Sequence, residues 1–240
     1  MIRVIRKKNY EEMSLQAATL IGAQILLKPN AVLGLPAGRT PIGTYEALIR
    51  MNREERLDFS KVRTVNLDEY IGLAPGNVHS FRYFMDSMLF ARINIDPACT
   101  YVPDGCAPDQ TQACADYDAL ISSLGGIDLQ LLGIGHNGHI GFNEPNDTFI
   151  AGTHVVDLTE DTRRANATLF PDPDDMPRRA VTMGMGAIMH AKRILLIANG
   201  AGKTKALRAA IEGPITSEVP ASILQLHPDV TVICDEEAWN

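Results

Sequence analysis

The sequence predicts an α/β fold built on a parallel sheet with helices on both faces. Three observations carry that prediction. Short apolar runs alternate with longer helix-forming stretches along the whole chain. Several of those runs are apolar without interruption, as strands buried on both sides must be. Their downstream ends carry glycine or polar residues, and loops at the carboxyl ends of parallel strands are where such sheets bind ligands. In order, residues 2–5 alternate like a short strand, and residues 11–27, rich in Ala, Leu and Gln, form a helix. Residues 31–35 are a buried strand, broken at Pro36, and residues 41–53 form the next helix. Residues 62–67 are a strand that ends at Asp68-Glu69-Tyr70. Residues 80–89 are helical with Ser80 as N-cap. Residues 110–124 are a helix leading into a strand at 129–132. After Glu144 the chain turns polar for about thirty residues, and Pro171, Pro173 and Pro177 mark an irregular stretch. Residues 183–190 form a helix, 193–198 a strand, 202–212 a helix and 230–234 a last strand.

The chain has 240 residues, 45% of them hydrophobic, with no repeat and no linker. A single domain over residues 1–240 is expected. Twenty-two basic against 29 acidic residues give a net charge of −7. That surface argues against nucleic acid and anionic membranes as partners, so an anionic ligand needs a local cluster of donors. The four cysteines, Cys99, Cys106, Cys114 and Cys234, lack CxxC spacing, so neither a zinc site nor a disulfide framework is expected. Residues 1–8 contain no apolar core of signal-peptide length, and no stretch reaches the ~20 apolar residues of a membrane helix. The cytoplasm is the expected location.

Four strand ends hold the candidate chemistry. Gly34-Leu35-Pro36-Ala37-Gly38-Arg39-Thr40-Pro41 lies between a strand and a helix, where free backbone N–H groups attract anions. The Gly-Lys-Ser/Thr of a Walker loop is missing and there is no GxGxxG, which favours a phosphate on a small molecule over ATP or a dinucleotide. Lys203 follows Asn199-Gly200-Ala201-Gly202 at a helix start, a place disfavoured for a cation unless an anion offsets it. Gly38, Arg39, Thr40 and Lys203 are therefore candidate phosphate contacts. Asp68 is a candidate general base. The richest segment is Gly133-Ile134-Gly135-His136-Asn137-Gly138-His139-Ile140-Gly141-Phe142-Asn143-Glu144-Pro145. There Glu144 can fix the tautomer of His139 across a glycine bend, and Asn137 can orient the ring or hold a hydroxyl. Two such different side chains fall short of a metal shell, and no GxSxG elbow supports a serine hydrolase. His79 reads as a loop histidine near the site. His136, His154, His190 and His227 read as packing or surface residues, and Trp239 as a chain end.

Taken together these segments resemble the glucosamine-6-phosphate deaminase family over nearly the whole chain. The resemblance adds Asn66-Leu67-Asp68-Glu69-Tyr70-Ile71-Gly72-Leu73, His79-Ser80-Phe81-Arg82-Tyr83-Phe84-Met85, Lys203-Thr204-Lys205-Ala206-Leu207 and Leu224-Gln225-Leu226-His227. It implies a Rossmann-like, three-layer α/β fold with a mostly parallel sheet. It implies a reaction without cofactor, in which D-glucosamine 6-phosphate and water become D-fructose 6-phosphate and ammonia. By that likeness His139 assists ring opening with Glu144 and Asn137 holding it, and Asp68 moves a proton between C2 and C1. The family includes hexamers and smaller forms, so a homo-oligomer stays open.

Three positions depart from the family pattern. Many members carry aspartate at Asn137. Thr168 stands where relatives have a phosphate-contacting arginine, with Arg39 or Arg164 as replacement charges. His154 and Val156 stand where allosteric members have the basic groups that bind N-acetylglucosamine 6-phosphate, so no such activation is expected. Residues 146–176 are a candidate lid. Rival readings are a deaminase of another amino-sugar phosphate such as galactosamine 6-phosphate, a 6-phosphogluconolactonase, and a non-catalytic sugar-phosphate sensor. The sensor is disfavoured because the proton-transfer groups are present and the sequence shows no N-terminal DNA-binding segment.

Overall fold

The computed structural model describes residues 2–167, 170, 172 and 175–240. Its strands are β1 (Arg3–Lys7), β2 (Val32–Leu35), β3 (Arg63–Asn66), β4 (Asp68–Tyr70), β5 (Thr100–Tyr101), β6 (Leu129–Leu132), β7 (His154–Asp157), β8 (Arg179–Thr182), β9 (Ile194–Ala198) and β10 (Val230–Asp235). The helices are α1 (Tyr10–Leu27), α2 (Ile42–Arg53), α3 (Phe81–Met88), α4 (Gln110–Ser123), α5 (Glu160–Ala167), α6 (Met185–Met189), α7 (Thr204–Glu212) and α8 (Glu236–Trp239). Seven strands form one sheet in the order β1-β10-β9-β6-β2-β3-β5, and every pair in it is parallel.

Alternation along the central strands divides the core into two layers, because successive side chains of a strand point to opposite faces. Leu33 and Leu35 of β2, Leu129 and Leu131 of β6, and Leu195 and Ile197 of β9 pack with Met13, Ala17 and Ile21 of α1 and Tyr45 and Leu48 of α2. Val32, Leu132, Leu196 and Val232 face the other way, against Tyr117 of α4, Ile188 of α6 and Leu207 of α7. Helices α1, α3 and α4 each begin where a short polar side chain accepts a free N–H group. Asn9 accepts from Glu12, Ser80 from Tyr83 and Asp109 from Gln112. At the amino-terminal edge of the sheet the buried Asp128 accepts from Lys28 (2.7 Å), Lys192 (2.8 Å) and the Val32 amide (2.8 Å), pinning β2, β6 and β9 together. Among the described residues no helix is long and apolar enough to cross a membrane.

The layers and the main strands follow the sequence expectation; the second sheet does not. Asp68-Glu69-Tyr70 is not the tail of the third strand. β3 ends at Asn66, and β4 leaves it to pair antiparallel with β8, which pairs with β7. The polar stretch after Glu144, expected to be irregular, supplies β7 and α5. Helix α5 reads Glu-Asp-Thr-Arg-Arg-Ala-Asn-Ala and carries no apolar stripe, which is why periodicity misses it. The expected helix at 183–190 shortens to α6, because the backbone stays extended up to its N-cap Gly184 and His190 caps its end. Residues 201–203 form a 3₁₀ turn, so α7 begins at Thr204. Tyr70, Phe142, Leu158, Phe170, Met176 and Ala180 make a small core of their own beside this second sheet.

Candidate active site

The loop after β6 is shaped by its glycines. Gly138 and Gly141 have φ of 88° and 60°, in the left-handed region that other residues enter at a cost. The loop closes on itself through Gly135 N–H to the His139 carbonyl (2.9 Å) and Gly138 N–H to the Gly135 carbonyl (3.1 Å). The His139 ring lies flat against Gly135: a Cβ there would stand 2.3 to 2.4 Å from the ring atoms. Gly135 is thus required by the imidazole.

Glu144, at the far end of this loop, gathers three groups. Its Oε2 accepts from Asn137 Nδ2 (2.7 Å) and lies 3.3 Å from His139 Nδ1, and its other oxygen accepts from the Thr162 hydroxyl of α5. The imidazole contact is within ion-pair range but off the line of a good hydrogen bond, so Nδ1 has no aligned partner. Burial alone would push the Glu144 carboxyl up. The His139 imidazole beside it and the donors from Thr162 and Asn137 outweigh it and hold the group below its ordinary value. Asn137 does not touch the ring of His139; its Oδ1 accepts from the His139 backbone N–H (3.2 Å) while its amide holds Glu144.

Asp68 reaches the same loop from β4. It is 7% exposed and pairs in register with Thr182 of β8, so the two side chains share a face of the second sheet. Thr182 Oγ1 accepts from the Phe142 N–H (3.0 Å). A Cβ on Gly141 would stand 2.9 Å from that oxygen and 3.7 Å from Asp68 Oδ2. Asp68 therefore lies beside Gly141, with His139 two residues earlier on the same turn. Burial, with a smaller push from the adjacent Glu69, raises its carboxyl from 3.8 to about 8. Tyr45 and Tyr117, both raised by burial first and also by the Asp68 charge, flank it, and Tyr45 donates to the Pro36 carbonyl (2.5 Å). Glu69 points elsewhere: it accepts from the Tyr70, Phe81 and Arg82 amides and anchors the start of α3. The ring of His79 stacks on Phe170 at 4.5 Å, at the rim of the small core.

The two phosphate-loop candidates meet at one side chain pair. Thr40 Oγ1 donates to Asn199 Oδ1 (2.9 Å), joining the loop after β2 to the loop after β9. Thr40 does not cap α2, whose N-cap is Pro41 with no side-chain bond, and the Gly43 N–H is taken by the Tyr10 hydroxyl (2.8 Å). Gly38 has φ of 120° and nothing within 4 Å of where a Cβ would be, so its backbone is open to a ligand. Arg39 is exposed beside it. Gly200 N–H is held by both oxygens of Asp235 (3.0 and 3.1 Å). Lys203 is half-buried, burial lowers its pKa, and no described residue ion-pairs with it.

Of the replacement charges weighed for Thr168, Arg164 sits on the outer side of α5, 77% exposed and 3.8 Å from Glu160. Thr168 itself lies outside the described residues, as do Pro171 and Pro173. The residues around these groups that sequence reasoning missed are Thr162, Thr182 and Tyr45. Thr162 sits in a polar helix without periodicity, Thr182 lies in a strand that the sequence does not predict, and Tyr45 reads as an ordinary helix residue. The other histidines behave as expected. His227, for example, is buried, with Nε2 donating to the Ala191 carbonyl (2.7 Å) and Nδ1 accepting from Asp229. No cluster of three or more His, Cys, Asp or Glu suited to a metal occurs among the described residues.

Comparison with known proteins identifies the family of the chain. A family model described as glucosamine-6-phosphate isomerases/6-phosphogluconolactonase matches residues 7–233. A glucosamine-6-phosphate deaminase of Lachnoclostridium phytofermentans is 56% identical over 97% of this chain and 99% of its own. One from Clostridium perfringens is 53% identical over 99% and 98%. Among solved structures, a monomeric glucosamine-6-phosphate deaminase superposes with a TM-score of 0.96 at 48% identity, covering 98% of each chain. A 6-phosphogluconolactonase of Trypanosoma brucei reaches a TM-score of 0.78 at 17% identity over 99% of this chain and 97% of its own, a likeness of fold alone.

Proposed function

The chain belongs to the family of glucosamine-6-phosphate isomerases and 6-phosphogluconolactonases, and we propose that it converts D-glucosamine 6-phosphate and water into D-fructose 6-phosphate and ammonia. The observation that carries this reading is the opposite setting of two carboxyls at one loop, Glu144 within it and Asp68 beside it from β4. Asp68 is driven up to about 8 by burial, while Glu144 is held low by its donors. Environments that push two titratable groups apart mark out separate acid–base roles.

His139, oriented by Glu144 and set flat on Gly135, moves the proton between the ring oxygen and the anomeric hydroxyl that opens the pyranose. In the open chain Asp68 takes the C2 proton. The electrons pass into the C1 carbonyl and leave an enolamine, and the same carboxyl returns a proton to C1. The C2 imine so formed takes up water and releases ammonia. A C2–H is a weak acid, so a base poised near neutrality suits its removal better than an ordinary carboxylate. The half-buried Lys203, with Gly38, Arg39 and Thr40 across the Thr40–Asn199 bond, receives the 6-phosphate. Its dianion offsets the cost of burying the ammonium.

Relatives at 50–56% identity bear the deaminase name, whereas the lactonase likeness stays near 20% and is one of fold. The test is ammonia release with glucosamine 6-phosphate, galactosamine 6-phosphate and unphosphorylated glucosamine side by side. Turnover of the first alone is expected. Hydrolysis of 6-phosphogluconolactone without ammonia release from any amino sugar would replace this reading with the lactonase one.

A further inference from the structure

His136 stands in the loop that carries His139, yet its side chain bonds to a different loop. Its Nδ1 lies 2.9 Å from the carbonyl oxygen of Gly202, one residue before Lys203. A carbonyl can only accept, so Nδ1 carries the proton. Contact is close: a Cβ on Gly202 would meet the ring Cε1 at 3.0 Å.

Each loop is otherwise held by its own surroundings. The 199–203 loop is fixed by Asp235 at Gly200 and by Thr40 at Asn199. The 135–139 turn is fixed by its internal bonds and by Ala221 N–H on the Gly138 carbonyl (2.9 Å). The His136–Gly202 bond joins the two directly.

We propose that His136 is a positioning residue that sets the distance between the phosphate-holding loop and the imidazole loop, so that a sugar anchored by its 6-phosphate delivers its ring oxygen to His139. The inference rests on the deaminase reading for its chemistry, but the coupling it describes belongs to the apoprotein's own geometry. His136 touches neither Glu144 nor the His139 ring in the hydrogen-bond network and is exposed, so its removal leaves the reacting groups and the core in place.

The experiment compares the wild type with His136→Ala and His136→Asn. Asparagine places a donor where Nδ1 sits and so preserves the bond. In His136→Ala, kcat/KM for glucosamine 6-phosphate falls about tenfold, as expected for losing one orienting hydrogen bond. Inhibition by inorganic phosphate, which needs only Lys203 and the Gly38–Thr40 loop bonded to it through Asn199, keeps its Ki, the melting temperature holds, and His136→Asn recovers most of the loss. Hydrogen exchange with inorganic phosphate as probe gives a readout independent of turnover. Phosphate slows exchange at both 199–203 and 133–144 in the wild type and in His136→Asn, but only at 199–203 in His136→Ala. The proposal is overturned if His136→Ala protects both loops as the wild type does, if His136→Asn behaves like His136→Ala, or if phosphate protects only 199–203 in the wild type. A wild type that shows the coupled protection but releases no ammonia would instead contradict the deaminase reading.

Discussion

Replacing Asp68 with asparagine separates what the site needs from what the fold prefers. The folded protein keeps the Asp68 proton up to about pH 8, whereas its ordinary value is 3.8. From there to neutrality the unfolded chain has lost the proton and the folded chain has not, so folding stability falls as pH rises across that window. Each pH unit costs ~1.4 kcal/mol, which sums to about 4 kcal/mol by pH 7. Water entry and local relaxation reduce such buried-charge costs, and about 2 kcal/mol is the realistic share. Asparagine has the same shape and no charge to bury, so Asp68→Asn is more stable by that amount. For a chain of this size it melts roughly 4–8 °C higher at pH 8. Near pH 4, close to the ordinary value, the unfolded aspartate keeps a large share of its proton and most of the gap closes. The assay is thermal unfolding of both proteins at pH 4, 6 and 8, with ammonia release measured alongside. A variant that melts with the wild type at pH 8, or a gap that does not grow with pH, would refute the burial argument.

Other outcomes follow from single contacts. Thr162→Val removes the hydroxyl that holds Glu144 and frees that carboxyl to drift from His139; kcat falls about tenfold with little change in KM. Gly135→Ala forces a methyl into the imidazole, and kcat drops by at least about a hundredfold while the circular dichroism spectrum stays that of the folded protein. Lys203→Met raises KM for the phosphorylated sugar about a hundredfold but binds unphosphorylated glucosamine as the wild type does. Arg39→Ala raises KM sharply in titrations of initial rate; an unchanged KM discards Arg39 as a phosphate contact.

Much of the sheet was legible because buried parallel strands are written as plain apolar runs. Leu33, Leu131 and Ile197 needed no partner information to be placed. The glycine-rich loop with His139 and Glu144 was legible for the opposite reason: polar groups among glycines have no packing role to explain them. The second sheet was not. Asp68 is placed by pairing with Thr182, more than a hundred residues away, and three-residue strands leave no local pattern. Thr162 was hidden because α5 touches the site through one hydroxyl rather than an apolar face. Asn137 illustrates a subtler limit: its presence at the site was readable, but its use as a clamp on Glu144 depends on a fold of the loop that only coordinates reveal.

The most direct measurement is the rate of ammonia release from glucosamine 6-phosphate against pH, for the wild type and for Asp68→Asn. The base at C2 predicts that kcat/KM of the wild type climbs with an apparent pKa near 8, where Asp68 loses its proton. It also predicts that the asparagine variant, though better folded, produces fructose 6-phosphate and ammonia at least about a thousandfold more slowly. Undiminished ammonia release by Asp68→Asn would contradict the account.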